Sequence, residues 1–61
     1  MTKYIIYALK GGEPKTVEAN TEYQALLKYA KANYDKEWVV QGKSICNPIS
    51  GWNIEYRVEQ L

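Results

Sequence analysis

Histidine and phenylalanine are absent from this 61-residue sequence, cysteine and methionine occur once each, and proline twice. Each shortage closes a route. Without histidine, the commonest general base and the commonest metal ligand are both missing. A single cysteine, Cys46, cannot form an intramolecular disulfide, the device on which small secreted domains rely. Charge of one sign is lacking too: eight Lys/Arg against seven Asp/Glu leave a net +1. That balance argues against a dedicated polyanion binder and against an acidic nucleic-acid mimic. The longest apolar run, Tyr4–Leu9, is six residues, too short for a signal-peptide core or a membrane span. The expectation is a soluble protein of the reducing cytoplasm with no membrane partner.

What is present suits one small globular domain, residues 1–61. Hydrophobic residues make up 46% and charged residues 25%, and six Tyr and two Trp supply the aromatics. A chain this short has room for a single core. Lys3–Leu9 is rich in β-branched and aromatic side chains and stops at Gly11-Gly12-Glu13-Pro14, which is turn chemistry. Lys15–Ala19 alternates polar and apolar, so the two runs predict an antiparallel hairpin. Thr21 and Gln24 have capping-box spacing, and Glu22 sits where a helix dipole favours negative charge. Tyr23, Leu26, Leu27, Ala30 and Tyr34 then recur at helical spacing, predicting an amphipathic helix from about Glu22 to Tyr34 with Leu27 in its core. Glu37–Gln41 reads as a short strand, which Ser44-Ile45-Cys46 extends if Gly42 marks a bulge. Trp52, Ile54, Tyr56 and Val58 alternate with Asn53, Glu55, Arg57 and Glu59, the pattern of a strand with one buried face and one wet face.

The expected fold is therefore α+β: a small antiparallel sheet in the order β-β-α-β-β with one amphipathic helix packed on one face. A single helix covers one face only, so its stripe must meet the side carrying Trp52, Ile54, Tyr56 and Val58. The opposite face stays open. The first strand is apolar on both parities, as is Trp38-Val39-Val40, so large apolar side chains fall on the uncovered face whichever way these strands turn.

Three classes of function compete for that face. Catalysis finds little support. Cys46 has no imidazole partner, Asp35 and Glu37 are scattered acids beside a turn, and no helix follows Gly11-Gly12 to make a phosphate cradle. No enzyme activity, cofactor or metal is expected. Nucleic-acid binding is open but second. Tyr4 or Tyr7 on the open face would suit base stacking, and Lys28, Lys31 and Lys36 make a modest basic patch, but Glu18, Glu55 and Glu59 share or border that face. Protein binding fits best, because Tyr, Trp and Arg are the residue types that carry interface energy. An apolar middle edged by Glu55, Arg57 and Glu59 has the layout of an interface core with a polar rim. Self-association as a homodimer competes with a foreign partner.

Val17-Glu-Ala-Asn-Thr21, Ala25-Leu26, Ala30 and Tyr34, followed by the short strand around Trp38, resemble the small RNA-polymerase-inhibitor proteins of podovirus-type phages. The resemblance covers roughly Tyr4 to Cys46. It implies a hairpin, one helix and a further strand, and a phage-encoded protein that binds a bacterial polymerase subunit and blocks transcription. The family carries polymerase-contacting arginines after the helix; here the matching stretch reads Gln41-Gly42-Lys43, so only Lys43 can take that role. The strand Trp52–Val58 has no counterpart in the family. Residues and resemblance together point to a small non-catalytic module that binds a host protein and modulates or inhibits it. Tyr7, Trp38, Lys43, Glu55 and Arg57 are the candidate partner-binding residues.

Overall fold

The first hairpin forms because two strand-forming runs are separated by residues that suit only a turn. In the computed structural model, which describes all 61 residues from Met1 to Leu61, β1 (Thr2–Ala8) and β2 (Lys15–Ala19) pair antiparallel. Tyr4 lies opposite Val17 and Ile6 opposite Lys15. Gly11 and Gly12 adopt φ of 112° and 111°, a conformation that a side chain would strain. The chain then enters α1 (Glu22–Asn33) through Thr21, whose hydroxyl accepts the Gln24 N–H at 3.1 Å. This bond satisfies one of the amides that a helix start leaves without a partner. The helix closes at Tyr34, which turns extended and donates its N–H to the Ala30 carbonyl at 2.8 Å.

Three strands follow rather than two, so the order is β-β-α-β-β-β. Gly42 is not a bulge. With Lys43 it forms a two-residue turn between β3 (Val39–Gln41) and β4 (Ser44–Asn47). Its φ of 60°, at the first of the two turn positions, is the conformation a type II′ hairpin requires and glycine supplies. A second hairpin joins β4 to β5 (Trp52–Gln60). Here Asn47 organises the loop: its side-chain Oδ1 accepts the N–H of Ile49 at 2.9 Å and of Ser50 at 3.2 Å, and its backbone carbonyl accepts Gly51 N–H at 2.8 Å. These bonds compensate the burial of the one polar side chain in the core.

The five strands make one curled antiparallel sheet in the order β2-β1-β5-β4-β3. β5 is shared between its two halves. Its Tyr56–Gln60 stretch pairs with β1 and its Trp52–Glu55 stretch with β4. Partners across antiparallel strands face the same way, so Tyr4, Ile6 and Ala8 share a side with Tyr56 and Val58. The helix lies over that side. Ile6, Leu26 and Ile45 are the large side chains wholly buried between the layers, and Ala25 and Ala30 allow close approach of helix to sheet.

The parity of β1, open in the sequence, is settled: Tyr4 is buried under the helix, which leaves Tyr7 on the open face. Three sequence expectations need correction. The helix is rotated from the expected stripe, so that Ala25 and Leu26 are buried, Leu27 is half-buried and Tyr23 is exposed. Trp52 has the parity of Ile54 and Tyr56 but lies past the reach of the helix, 62% exposed, with the Lys10 ammonium 5.9 Å from its ring centroid. Trp38 packs against the helix side of the core and not on the open face. No helix is long and apolar enough to cross a membrane.

The rotation makes Leu26, not Leu27, the leucine that holds helix to sheet. Leu26→Ala is expected to cost about 2–5 kcal/mol, and Leu27→Ala distinctly less, in denaturant unfolding of the two variants. The reverse ranking would mean that the helix presents a different side to the sheet.

Candidate functional site

The open face is built by the odd-numbered residues of β1 and their partners. Ile5, Tyr7 and Leu9 form a column; Ile5 faces Thr16 on one side and Glu59 on the other, and Tyr7 faces Arg57. Leu9 continues the column beyond β1, its N–H bonded to the Glu55 carbonyl at 3.2 Å. Glu55, Arg57 and Glu59 thus run as a charged row alongside an apolar one. Ile5 and Tyr7 are half-buried by their neighbours, and Leu9 is 57% exposed. Across β5 the face continues through Ser44 and Cys46 to Val39, all three opposite or beside polar partners in the register.

Tyr7 is fixed by its phenol, which donates to Oε1 of Glu59 at 2.9 Å. That bond is the main reason its pKa is raised above the ordinary tyrosine value; desolvation and the Glu59 charge add to it, and Arg57 opposes it. Arg57 is left on the same surface as an exposed guanidinium. Beyond it, Leu9, Lys43, Ser44, Glu55 and Arg57 line a shallow concavity of about 420 Å³. A hydroxyl, two carboxylates, a guanidinium and an ammonium around apolar side chains can recognise a surface by hydrogen bonding and charge.

Four of the five sequence candidates therefore come together: Tyr7, Glu55 and Arg57 on the open face, and Lys43 at its rim on the β3–β4 turn. Trp38 does not join them. It stacks on Tyr34 with ring centroids 4.8 Å apart and lines a groove between α1 and β3 of about 500 Å³. The basic patch also divides. Lys28 turns toward β2, where its ammonium donates to the Glu18 carbonyl at 2.6 Å, whereas Lys31 and Lys36 border the groove. Ile5 and Leu9 were missing from the candidates. Their signal was Lys3, the one charge within β1, which marks the odd positions as the wet side.

Behind the site, Tyr56 anchors the sheet to the helix. Its hydroxyl is hydrogen-bonded to that of Tyr34, and its ring meets Tyr29 edge-on at 5.2 Å. Burial pushes its phenol far above the ordinary tyrosine range, reinforced by the hydrogen bond to Tyr34 and by the adjacent Tyr29. No family model matches this chain, and neither does any curated protein or solved structure. Its function is therefore argued from the surface itself.

The Tyr56 environment sets an alkaline limit. In the unfolded chain this phenol ionises near 10.0, whereas in the folded protein it stays protonated. The stability it contributes is complete below that pH and falls as the pH rises above it, because only the unfolded state releases the proton. Denaturant unfolding against pH is expected to show this loss, and Tyr56→Phe to flatten it. In a phenolate absorbance titration, Tyr7 and Tyr56 should ionise after free tyrosine; a signal complete at the free-tyrosine midpoint would contradict both assignments.

Proposed function

We propose that this chain is a small non-catalytic protein-binding module that acts on a larger host protein in the cytoplasm, modulating or inhibiting it through its open sheet face. The observation that carries this reading is the apolar column Ile5–Tyr7–Leu9 lying against the charged row Glu55–Arg57–Glu59 on a sheet face that nothing in the chain covers. An apolar centre supplies desolvation on contact, and the charged row supplies register and selectivity. Tyr7 and Arg57 are of the types that concentrate binding energy, and Tyr7 is already held in place by Glu59. Fixing the ring beforehand lowers the entropy lost on binding.

The resemblance over Tyr4–Cys46 supports the style of function, a phage-encoded inhibitor or accessory of a larger host machine, with Lys43 as the contact at the rim of the face; RNA polymerase is the candidate to test first. The β4–β5 hairpin adds Glu55 and Arg57 to that picture, residues for which the resemblance supplies no counterpart. A nucleic-acid role is the second reading, favoured by the ring of Tyr7 on an open sheet. Glu55 and Glu59 beside that ring oppose it, because phosphates would meet carboxylates there.

Capture of partners from bacterial lysate by the tagged protein, with and without nuclease, separates the two. A stoichiometric protein band that survives nuclease is the expected result, and bands that vanish with nuclease would transfer the role to nucleic acid. The double variant Glu55→Ala, Arg57→Ala is expected to weaken the captured complex by about tenfold or more. Its melting temperature should barely move, since exposed substitutions usually change stability by less than about 0.5 kcal/mol. Undiminished binding by this variant would remove the open face from the reading.

A further inference from the structure

We infer that the groove between α1 and β3 accepts an extended, apolar peptide segment bearing a carboxylate, which adds to the sheet as a sixth strand beside β3. This goes beyond the open-face reading and does not depend on it. The groove lies on the other side of the sheet and, apart from Val39 at the sheet edge, is lined by different residues.

The first support is the backbone of β3. It is the last strand of the sheet, paired only with β4. The two-residue turn makes Gln41 and Ser44 the closing hydrogen-bonded pair, so bonding alternates and Val40, opposite Ile45, turns its N–H and C=O away from β4. The bond from Tyr56 N–H to the Lys43 carbonyl at 2.8 Å fixes the same phase, since it commits Ile45 to β5. Val40 therefore offers a donor and an acceptor at the free edge, in the arrangement that a partner strand completes.

The second support is a surplus of apolar helix surface. At about 100° per residue, the apolar arc of α1 runs from Ala25 through Leu26 and Ala30 to Tyr23 and Leu27, a sweep of about 200°, with Tyr34 at its C-terminal end. The sheet takes only its first part, burying Ala25, Leu26 and Ala30. Tyr23, Leu27 and Tyr34 are left facing the groove, whose opposite wall is Trp38 and Val40. Tyr34 at the helix end lies by Trp38, before β3, and Tyr23 at the helix start lies by Gly42, after it, so the groove has an edge strand along one wall and an apolar helix flank along the other. From Tyr23 to Asn33 the helix rises about 15 Å, which matches about five residues of extended chain.

The third support is charge. Lys31 and Lys36 border the groove against the single acid Asp35. A carboxylate on the incoming segment gains from this excess of positive charge, and a lysine there does not.

The test uses the intact protein and an array of blocked pentapeptides. Each has valine, leucine or tyrosine at every position but one; that one is glutamate in half of the array and lysine in the other half. The glutamate half is expected to hold the binders. The strongest of them, added to isotope-labelled protein, should shift the amides of Val40 and Gln41 and the indole of Trp38 while leaving Tyr7 and Arg57 in place. N-methylating the peptide amide that pairs with Val40 should weaken binding about tenfold, because it removes a main-chain bond without altering any side chain. Tyr23→Ser, at an exposed position, should weaken it several-fold with the melting temperature intact. The Glu55→Ala, Arg57→Ala variant should bind the peptide as the parent does, so failure here is distinguishable from failure of the open-face reading. The inference is overturned by an array without binders, by a lysine half that binds as well as the glutamate half, or by shifts centred on Tyr7 and Arg57. Concentration-dependent self-association that shifts Val40 without peptide would overturn it equally, giving the edge to a second copy of the chain.

Discussion

Tyr56 is where the molecule is tied together. It stands at the point along β5 where pairing passes from β4 to β1, with its N–H bonded to the Lys43 carbonyl on one side and its neighbour Glu55 accepting from Leu9 on the other. Its side chain is buried, edge-on to Tyr29 and hydrogen-bonded to Tyr34 at the helix C-terminus. One residue thus links the first hairpin, the second pair of hairpins and the end of the helix. A chain with only nine apolar residues fully in its core depends on such a junction. The tyrosine ring buries a large area, while its hydroxyl, once paired, adds direction that an aliphatic side chain lacks. Arg57 and Glu55 flank Tyr56 on the reverse of the same strand, so this seam also positions the open face.

Much of this was legible in the sequence because it rests on local rules. The Thr21 cap, the glycine-rich turn after Leu9 and the alternation from Trp52 to Val58 each have a physical cause contained within a few residues. Glu55 and Arg57 could be placed on one face for that reason: strand alternation fixes side. The side taken by Tyr7 stayed open, because β1 is apolar on both parities and only its pairing with β5 decides it. The misreadings occurred where a local rule has two solutions. A glycine between two β-like runs serves either a bulge or a tight turn, and only pairing with β4 decides that Gly42 is a turn. Trp38-Val39-Val40 is apolar at every position, so alternation carries no information there, and Trp38 went to the helix side. The stripe on α1 was misplaced because the apolar arc is broader than the surface the sheet can cover. Which part of such an arc is buried depends on how the helix crosses the strands, a tertiary matter.

The two faces of the sheet answer different demands. On the covered side, small residues at Ala25 and Ala30 bring the layers close, and the cost falls on the flank, where Tyr23, Leu27 and Tyr34 have too little sheet beneath them. On the open side, the charged row of β5 interrupts what would otherwise be a continuous apolar surface and discourages indiscriminate association. In the proposed reading, the selectivity of contact rests on the same three residues, Glu55, Arg57 and Glu59, that break up the apolar surface.

The strand order has a consequence for how the chain reaches this state. The central strand, β5, pairs with β1, the strand most distant from it in sequence; Tyr4 meets Gln60. Pairing of this kind closes a loop spanning almost the whole chain before it returns any contact energy, and such topologies fold slowly for their size. During synthesis the first hairpin and the helix emerge while the strand that seats them is still missing, leaving the inner edge of β1 unpaired and Ile6 without Val58 opposite it. The pairing of β1 with β5 therefore waits until residues 56–60 become available. Until then the nascent chain presents an apolar strand edge, the kind of feature that chaperones and proteases engage.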